Sequence, residues 1–362
     1  MLSNTKPIVV LTHSENARIL ESSPFFTSIQ DRLGQRGIDM TEWQVGDPAD
    51  PVTLPDLSEL DPDGTRPVVF VTLSPDSSAS ARKQGDLPGP KRAAALGNAV
   101  AYLLDHQLPL LVNVNPSILP SYGEPDPIVA PLEQLGLTLS TGTPLLREVV
   151  STRDRQVRTD LTALPEPSSN PISHAIANLP IQLTWPIPIT ITPNASWQVT
   201  PLLEIADTGS VWAESQWLGY WQTARAQRSL LPNLPRFDAD TDRRSDQFVV
   251  AVAADRTDTP PRTGRVVVVG SNGWYANPIA FAYQTTDGRV SRTYPGNAEL
   301  FEAAVLYLAG MDEQIAKSAS ARAIPMIVQI EPARLRVLRW VLVAGLPIGV
   351  LVLGVLWRLV RK

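Results

Sequence analysis

The sequence predicts an α/β domain with a mostly parallel sheet, a β-rich elaboration and one C-terminal transmembrane helix. Three observations point there. The runs PIVVL, VVFVTL, LPLLVNV, FVVAVA and RVVVVG are almost continuously apolar, as strands buried on both faces are. Helical segments alternate with the first of them, giving the order β-α-β-β-α-β-α. Residues 340–357, WVLVAGLPIGVLVLGVLW, carry no charge at all.

Residues 7–11 form the opening strand. Phe25, Phe26, Ile29 and Leu33 then fall at helical spacing, with Gly34 or Gly37 ending the helix. Residues 38–45 alternate like a strand, residues 47–67 are a Pro/Asp-rich loop, and residues 68–73 are a second buried strand. Residues 91–106 carry an apolar stripe through Ala95, Leu96, Ala99, Val100, Leu103 and Leu104, which makes them an amphipathic helix. A strand at 108–114 and a short helix at 128–135, ended by Gly136, complete the first half. From 137 to about 245 short alternating runs sit between prolines with few helix formers, which predicts a β-rich elaboration. Residues 248–253 and 265–270 are two more strands with a hairpin-like connection between them. A helix opens at Gly296-Asn297, runs through Leu300, Phe301, Ala304 and Leu308, and ends at Gly310. An extended piece at 323–330 leads to the apolar tail.

At ~1.5 Å per residue that tail spans roughly 27 Å, near the thickness of bilayer hydrocarbon. Trp340 and Trp357 sit where an interfacial aromatic belt would place them, with Arg339 and Arg358 just outside. Pro347 is better tolerated in a membrane helix than in a soluble one. The expected organisation is a domain over 1–315, a juxtamembrane connector over 316–337, a transmembrane helix over 338–358 and a basic tail over 359–362. The lipid bilayer is the first expected partner. Basic residues flank the apolar run equally, so charge alone does not orient it. The N-terminus has too short an apolar run for a signal peptide.

Composition narrows the function. The net charge is −5, with no basic run outside the tail, so nucleic acid is not an expected partner. There is no cysteine, which removes disulfides, thiolate catalysis and cysteine-ligated metals together. The 34 prolines favour loops and edge strands over long helices.

Several phrases resemble one family. GRVVVVGSNGWYANPIA, PGNAELFEAAVLYLAG and the apolar tail are similar to the auxiliary component of gliding-motility-type ABC transporters, in the ABC-type uncharacterized transport system group. PIVVLTHSE, RPVVFVTLSPDSS, AAALGNAVAYLLDHQLPLLVNVNPS, NPISHAIANLP and SVWAES extend the resemblance over most of the chain. It implies a flavodoxin-like, class I glutamine-amidotransferase-like fold, also described as intraflagellar-transport-like, with an ABC permease and an ATPase as partner subunits. Two departures stand out. The acidic loop that follows the family's strand is Gly270-Ser271-Asn272-Gly273-Trp274 here, without carboxylates. The membrane helix that precedes the family's first strand is missing, which implies a truncated or split start and an extracytoplasmic domain.

Candidate chemistry is sparse. Amidotransferase-type catalysis needs a cysteine or an equivalent serine on a strand-to-helix elbow with a histidine base, and no GxSxG turn occurs. Ser74 and Ser271 follow strands and more commonly cap the next turn. The three histidines, His13, His106 and His174, show no ligand spacing, so no metal is expected. His13, with Ser14 and Glu15, lies at a strand end where open α/β sheets bind ligands. GSNG is too short for a dinucleotide loop and there is no P-loop, so no cofactor is expected and any ATPase must be another subunit. Trp185, Trp197, Trp212, Trp217 and Trp221 crowd the β-rich segment, where core packing is a commoner use than sugar stacking. The expectation is a non-catalytic, membrane-anchored accessory subunit of an ABC-type transport or gliding-motility-like system. The alternatives are a ligand-binding module, glycans included, and a degenerate hydrolase.

Overall fold

The computed structural model describes residues 6–150, 155–206, 209–258, 264–286, 289–316 and 339–345, and positions 347, 357 and 361. The chain divides into two compact units, 1–318 and 319–362. The elements of the first unit are, in order, β1 (Ile8–His13), α1 (Thr27–Gly34), β2 (Asp39–Gln44), β3 (Val68–Leu73), α2 (Gly89–Asp105), β4 (Leu110–Asn113), β5 (Leu137–Leu139), β6 (Leu145–Val150), β7 (Arg155–Arg158), β8 (Asp160–Ala163), α3 (Pro171–Ile176), β9 (Ile181–Thr184), β10 (Ile189–Ile191), β11 (Trp197–Ala206), β12 (Val211–Ala213), α4 (Leu218–Gln222), β13 (Gln247–Arg256), β14 (Val266–Val269), α5 (Asn277–Ala280), β15 (Tyr283–Thr286), β16 (Arg289–Arg292), α6 (Pro295–Leu308) and α7 (Asp312–Ala316).

Seven strands form the central sheet in the order β11-β13-β14-β4-β3-β1-β2. All six residues of β1 and all four of β4 and β14 are buried, because each strand is covered on both faces. Alternate residues serve the two layers. Val9, Leu11, Val69, Val71 and Leu111 join one core with Ile29 and Leu33 of α1, Ile172 and Ile176 of α3, and α6. Ile8, Val10, Phe70, Leu110 and Val112 join the other with Leu96, Val100 and Leu103 of α2. Twelve of the fourteen α6 residues are buried, so that helix is apolar nearly all round rather than striped. Its one buried carboxylate, Glu302, is neutralised by Arg32 at 2.9 Å and by Arg36. Gly97 lets α2 approach the following segment: a Cβ there would meet the Pro127 carbonyl oxygen at 2.4 Å.

Two expectations need correction. The sheet is mixed, and a flavodoxin-like or amidotransferase-like arrangement is not shown. β13 runs antiparallel to both of its neighbours, β14 and β11. Of eleven described strand pairings, four are parallel and seven antiparallel. The physical reason is sequence separation: β13 ends at Arg256 and β14 begins at Val266, too few residues for the crossover that a parallel neighbour needs.

The second correction concerns the C-terminal anchor. Among the described residues no helix is long and apolar enough to cross a membrane. Arg339 and Trp340 are helical, and Val341–Gly345 is a five-residue π-helix. Arg339, Trp340, Pro347 and Trp357 are exposed, while Arg358 and the stretch 323–330 lie outside the described residues. The single-pass localisation, with the extracytoplasmic placement tied to it, is therefore not supported. An uncharged run measures hydrophobicity; it does not by itself give a continuous helix of spanning length.

The β-rich elaboration holds its own small core. Leu146, Val157, Trp185, Trp212, Trp217 and Tyr220 pack together, with Trp185 set edge-on to Trp217, Tyr220 and Trp221. Three of the five tryptophans there, Trp185, Trp212 and Trp217, are buried and act as packing groups rather than as exposed stacking platforms.

Candidate functional site

The place to look first is the C-terminal edge of the parallel strands, where open α/β sheets leave a crevice. β1, β3, β4 and β14 end there at His13, Leu73, Asn113 and Val269. Sequence reasoning put His13, Ser74 and Ser271 at this edge. All three are at it and all are buried, but their bonds run to different partners.

The His13 ring is held by its own loop. Its Nδ1 accepts from the Glu15 backbone N–H at 3.2 Å, and Nε2 faces Glu42 Oε2 at 3.4 Å. A ring whose Nδ1 accepts carries its proton on Nε2 when neutral. Burial pushes the His13 pKa down, outweighing the opposing pull of Glu42. Burial alone would raise the Glu42 pKa. The Leu20 and Ile19 backbone N–H groups, at 3.0 and 2.7 Å, together with His13, hold it below the ordinary value instead. The pair is thus a neutral imidazole beside an ionised carboxylate.

Ser74 Oγ donates to the Asn113 carbonyl oxygen at 2.5 Å, in a layer that also holds Thr72. Ser271 Oγ donates to the Thr184 carbonyl oxygen at 2.9 Å and accepts from the Thr184 N–H at 3.1 Å. It therefore fastens the end of β14 to β9. Each hydroxyl proton is committed to a backbone carbonyl, and His13 bonds to Glu42 and Glu15 rather than to either serine. A nucleophile and base need a mutual hydrogen bond; these groups bond elsewhere.

The residues that fill the crevice carry no motif in the sequence. Asn272 accepts from the Ser74 N–H at 3.2 Å and donates to the Ser74 carbonyl oxygen at 2.9 Å. Trp274, fully buried, donates from Nε1 to Asn113 Oδ1 at 2.7 Å and packs edge-on against Tyr275 and Phe301. A carboxylate is acceptor-only, so an acidic residue could not replace Asn272 in its two-way bond with Ser74. The phrase GSNGW, an uncharged polar turn directly after a buried strand, carried the signal. Ser14 Oγ and Arg92 Nε, beside the same edge, are buried without a hydrogen-bond partner among the described residues. The other two histidines are elsewhere: His106 caps α2 and stacks on Tyr102, and His174 lies in the last turn of α3. Among the described residues no cluster of His, Asp or Glu could hold a metal ion.

At the outer end of this edge a cavity of about 260 Å³ opens just past β2, beside Gln44, Asp47 and Asn98, and further open space lies in the β-rich elaboration. A cavity of about 690 Å³ is bounded by Glu214, Tyr220, Phe237, Asp238 and Asp242, among others. Glu214 is buried, which raises its pKa against the hydrogen bonds from Trp212 Nε1 and the Gln216 N–H.

No family model matches the chain, and no curated protein matches it. One solved structure, described as "mmIFT52 N-terminal domain", aligns over 83% of this chain and 97% of its own length, at 11% identity and a TM-score of 0.45. The resemblance to the gliding-motility-type ABC transporter auxiliary family is thereby corrected. No ABC-transporter family supports it, and the phrases that suggested it are mostly buried-strand text such as VVVV. Such runs recur wherever a sheet is covered on both faces.

Proposed function

We propose that the chain is a non-catalytic accessory domain that acts by binding. The observation that carries this reading is the commitment of the strand-end groups. Ser74, Ser271, Asn113, Asn272 and Trp274 bond to one another and to backbone, which makes the usual catalytic edge of such a sheet part of the core. Partners are then engaged elsewhere on the surface. An ABC-type permease and ATPase are the partners the sequence reading names. Affinity capture of the tagged chain from its native cells tests them. Stoichiometric recovery of an ATPase and a permease supports the assignment, and recovery of the chain alone in repeated preparations counts against it.

A ligand-binding role is the second reading, favoured by the cavity of about 690 Å³ beside Glu214 and Tyr220. That size is within the usual range for small-molecule sites.

A further inference from the structure

On the other side of Tyr220 lies a smaller cavity of about 290 Å³, bounded by Arg155, Arg158, Thr159, Asp160, Arg225 and Arg228 with Tyr220 and Leu234. Four guanidinium groups around so small a space repel one another unless something negative sits among them. Two are compensated within the chain: Arg225 pairs with Asp160, and Arg155 with Glu148. Arg158 and Arg228 pair with no carboxylate among the described residues. Arg158 donates to Gln156 Oε1 at 2.7 Å. Arg228 donates from all three nitrogens, Nε to the Thr223 carbonyl oxygen at 3.0 Å, Nη1 to Thr159 Oγ1 at 3.5 Å and Nη2 to the Trp221 carbonyl oxygen at 3.3 Å, which still leaves one N–H on each terminal nitrogen. The Arg228 guanidinium is also held over Trp185 and Tyr220, 5.1 and 5.3 Å from the ring centroids. That brace fixes its plane in advance and leaves N–H groups unused.

A further observation concerns the adjoining strands. Arg158 of β7 lies directly opposite Arg147 of β6, a like-charge pair that is destabilising by itself. Arg147 Nε is buried without a hydrogen-bond partner among the described residues. The Tyr220 phenol, which donates to the Val157 carbonyl oxygen at 2.8 Å, feels the positive charge of Arg228, Arg158 and Arg155 together.

We propose that this cavity binds the phosphate group of a small phosphomonoester, with Arg158 and Arg228 as its two cationic clamps. Neither guanidinium has a carboxylate in ion-pair contact, although Arg228 feels the charge of Asp160 across the cavity; a phosphomonoester, doubly negative near neutral pH, supplies the missing contact, and the forked geometry of arginine suits its oxygens. The cavity is at the small end of the range for ligand sites, which suits a short metabolite better than a nucleotide. The site is independent of the accessory role, so neither outcome of the capture experiment bears on it.

Calorimetric titration of the full chain at constant ionic strength tests the assignment, with inorganic phosphate, glycerol 3-phosphate and a phosphoserine peptide as probes and chloride as the control. Inorganic phosphate and glycerol 3-phosphate should bind, with affinity falling as salt rises. Arg158→Ala, an exposed position whose replacement leaves the fold intact, should weaken both by roughly tenfold or more. Arg228→Lys, checked for native circular dichroism, should do the same, while Arg82→Ala on a distant exposed loop should change nothing. Absence of binding at millimolar phosphate would overturn the assignment. So would unchanged affinity in Arg158→Ala, or a peptide that binds where glycerol 3-phosphate does not.

Discussion

At the ends of β3, β4 and β14, amides and hydroxyls bond across strands, and Asn272 and Trp274 lock the space between them. Around Tyr220, by contrast, two guanidiniums face open space with no carboxylate partner among the described residues. The first arrangement spends its polar groups on stability, whereas the second holds unmatched charge in reserve. The contrast teaches that position within an α/β sheet does not decide where binding happens. What decides is which polar groups the chain has left unpartnered.

The largest expected effect comes from the filled edge. Trp274→Ala removes a fully buried ring and leaves Asn113 Oδ1 without its donor. It should cost about 3–5 kcal/mol in urea denaturation, and a loss below about 1 kcal/mol would mean the edge is looser than described. Gly270→Ala comes next, because a Cβ would meet the Ile187 carbonyl oxygen at 2.3 Å. About 1–3 kcal/mol is expected from that overlap. Ser271→Ala should cost about 1–3 kcal/mol by leaving the Thr184 N–H unpaired.

His13 sharpens the comparison through pH. Its folded pKa is lowered by burial, so the unfolded chain takes up the proton first. Its contribution is complete above the ordinary histidine value of 6.5, and is lost as pH falls below it, at up to about 1.4 kcal/mol per pH unit. Urea midpoints between pH 7.5 and 5.5 should show this loss in the wild type, and His13→Gln should flatten it. The smallest effect belongs to the open cavity: Arg158→Ala should change stability by less than about 0.5 kcal/mol, because the exposed Arg158 has no carboxylate partner to lose.

The strands were legible because burial on both faces demands unbroken apolar text: VVFVTL became β3 at the expected positions, and RVVVVG contains β14. α2 was legible from its stripe, and α6 from its apolar length. Strand direction was not, since FVVAVA and RVVVVG read alike whether parallel or antiparallel. Only the short connection between them hinted at the reversal of β13. The apolar tail gave a spanning helix on hydropathy alone, and most of 338–358 lies outside the described residues, among which no helix is long and apolar enough to cross a membrane. At the site, His13, Ser74 and Ser271 were placed at the right edge, yet their bonding partners, Glu42, Asn113 and Thr184, come from other strands. The arginine cavity was the least legible. RQVR at 155–158 and RAQR at 225–228 are nearly seventy residues apart, and only folding brings them around Tyr220.

The central claim is that binding belongs to the β-rich elaboration and not to the strand ends. Backbone amide shifts of the isotope-labelled chain, followed during titration with glycerol 3-phosphate, test it most directly. The account predicts that the shifts cluster at 155–160 and 220–228, with the amides of His13, Ser74, Asn113 and Ser271 unmoved. Shifts confined to those four positions would contradict it.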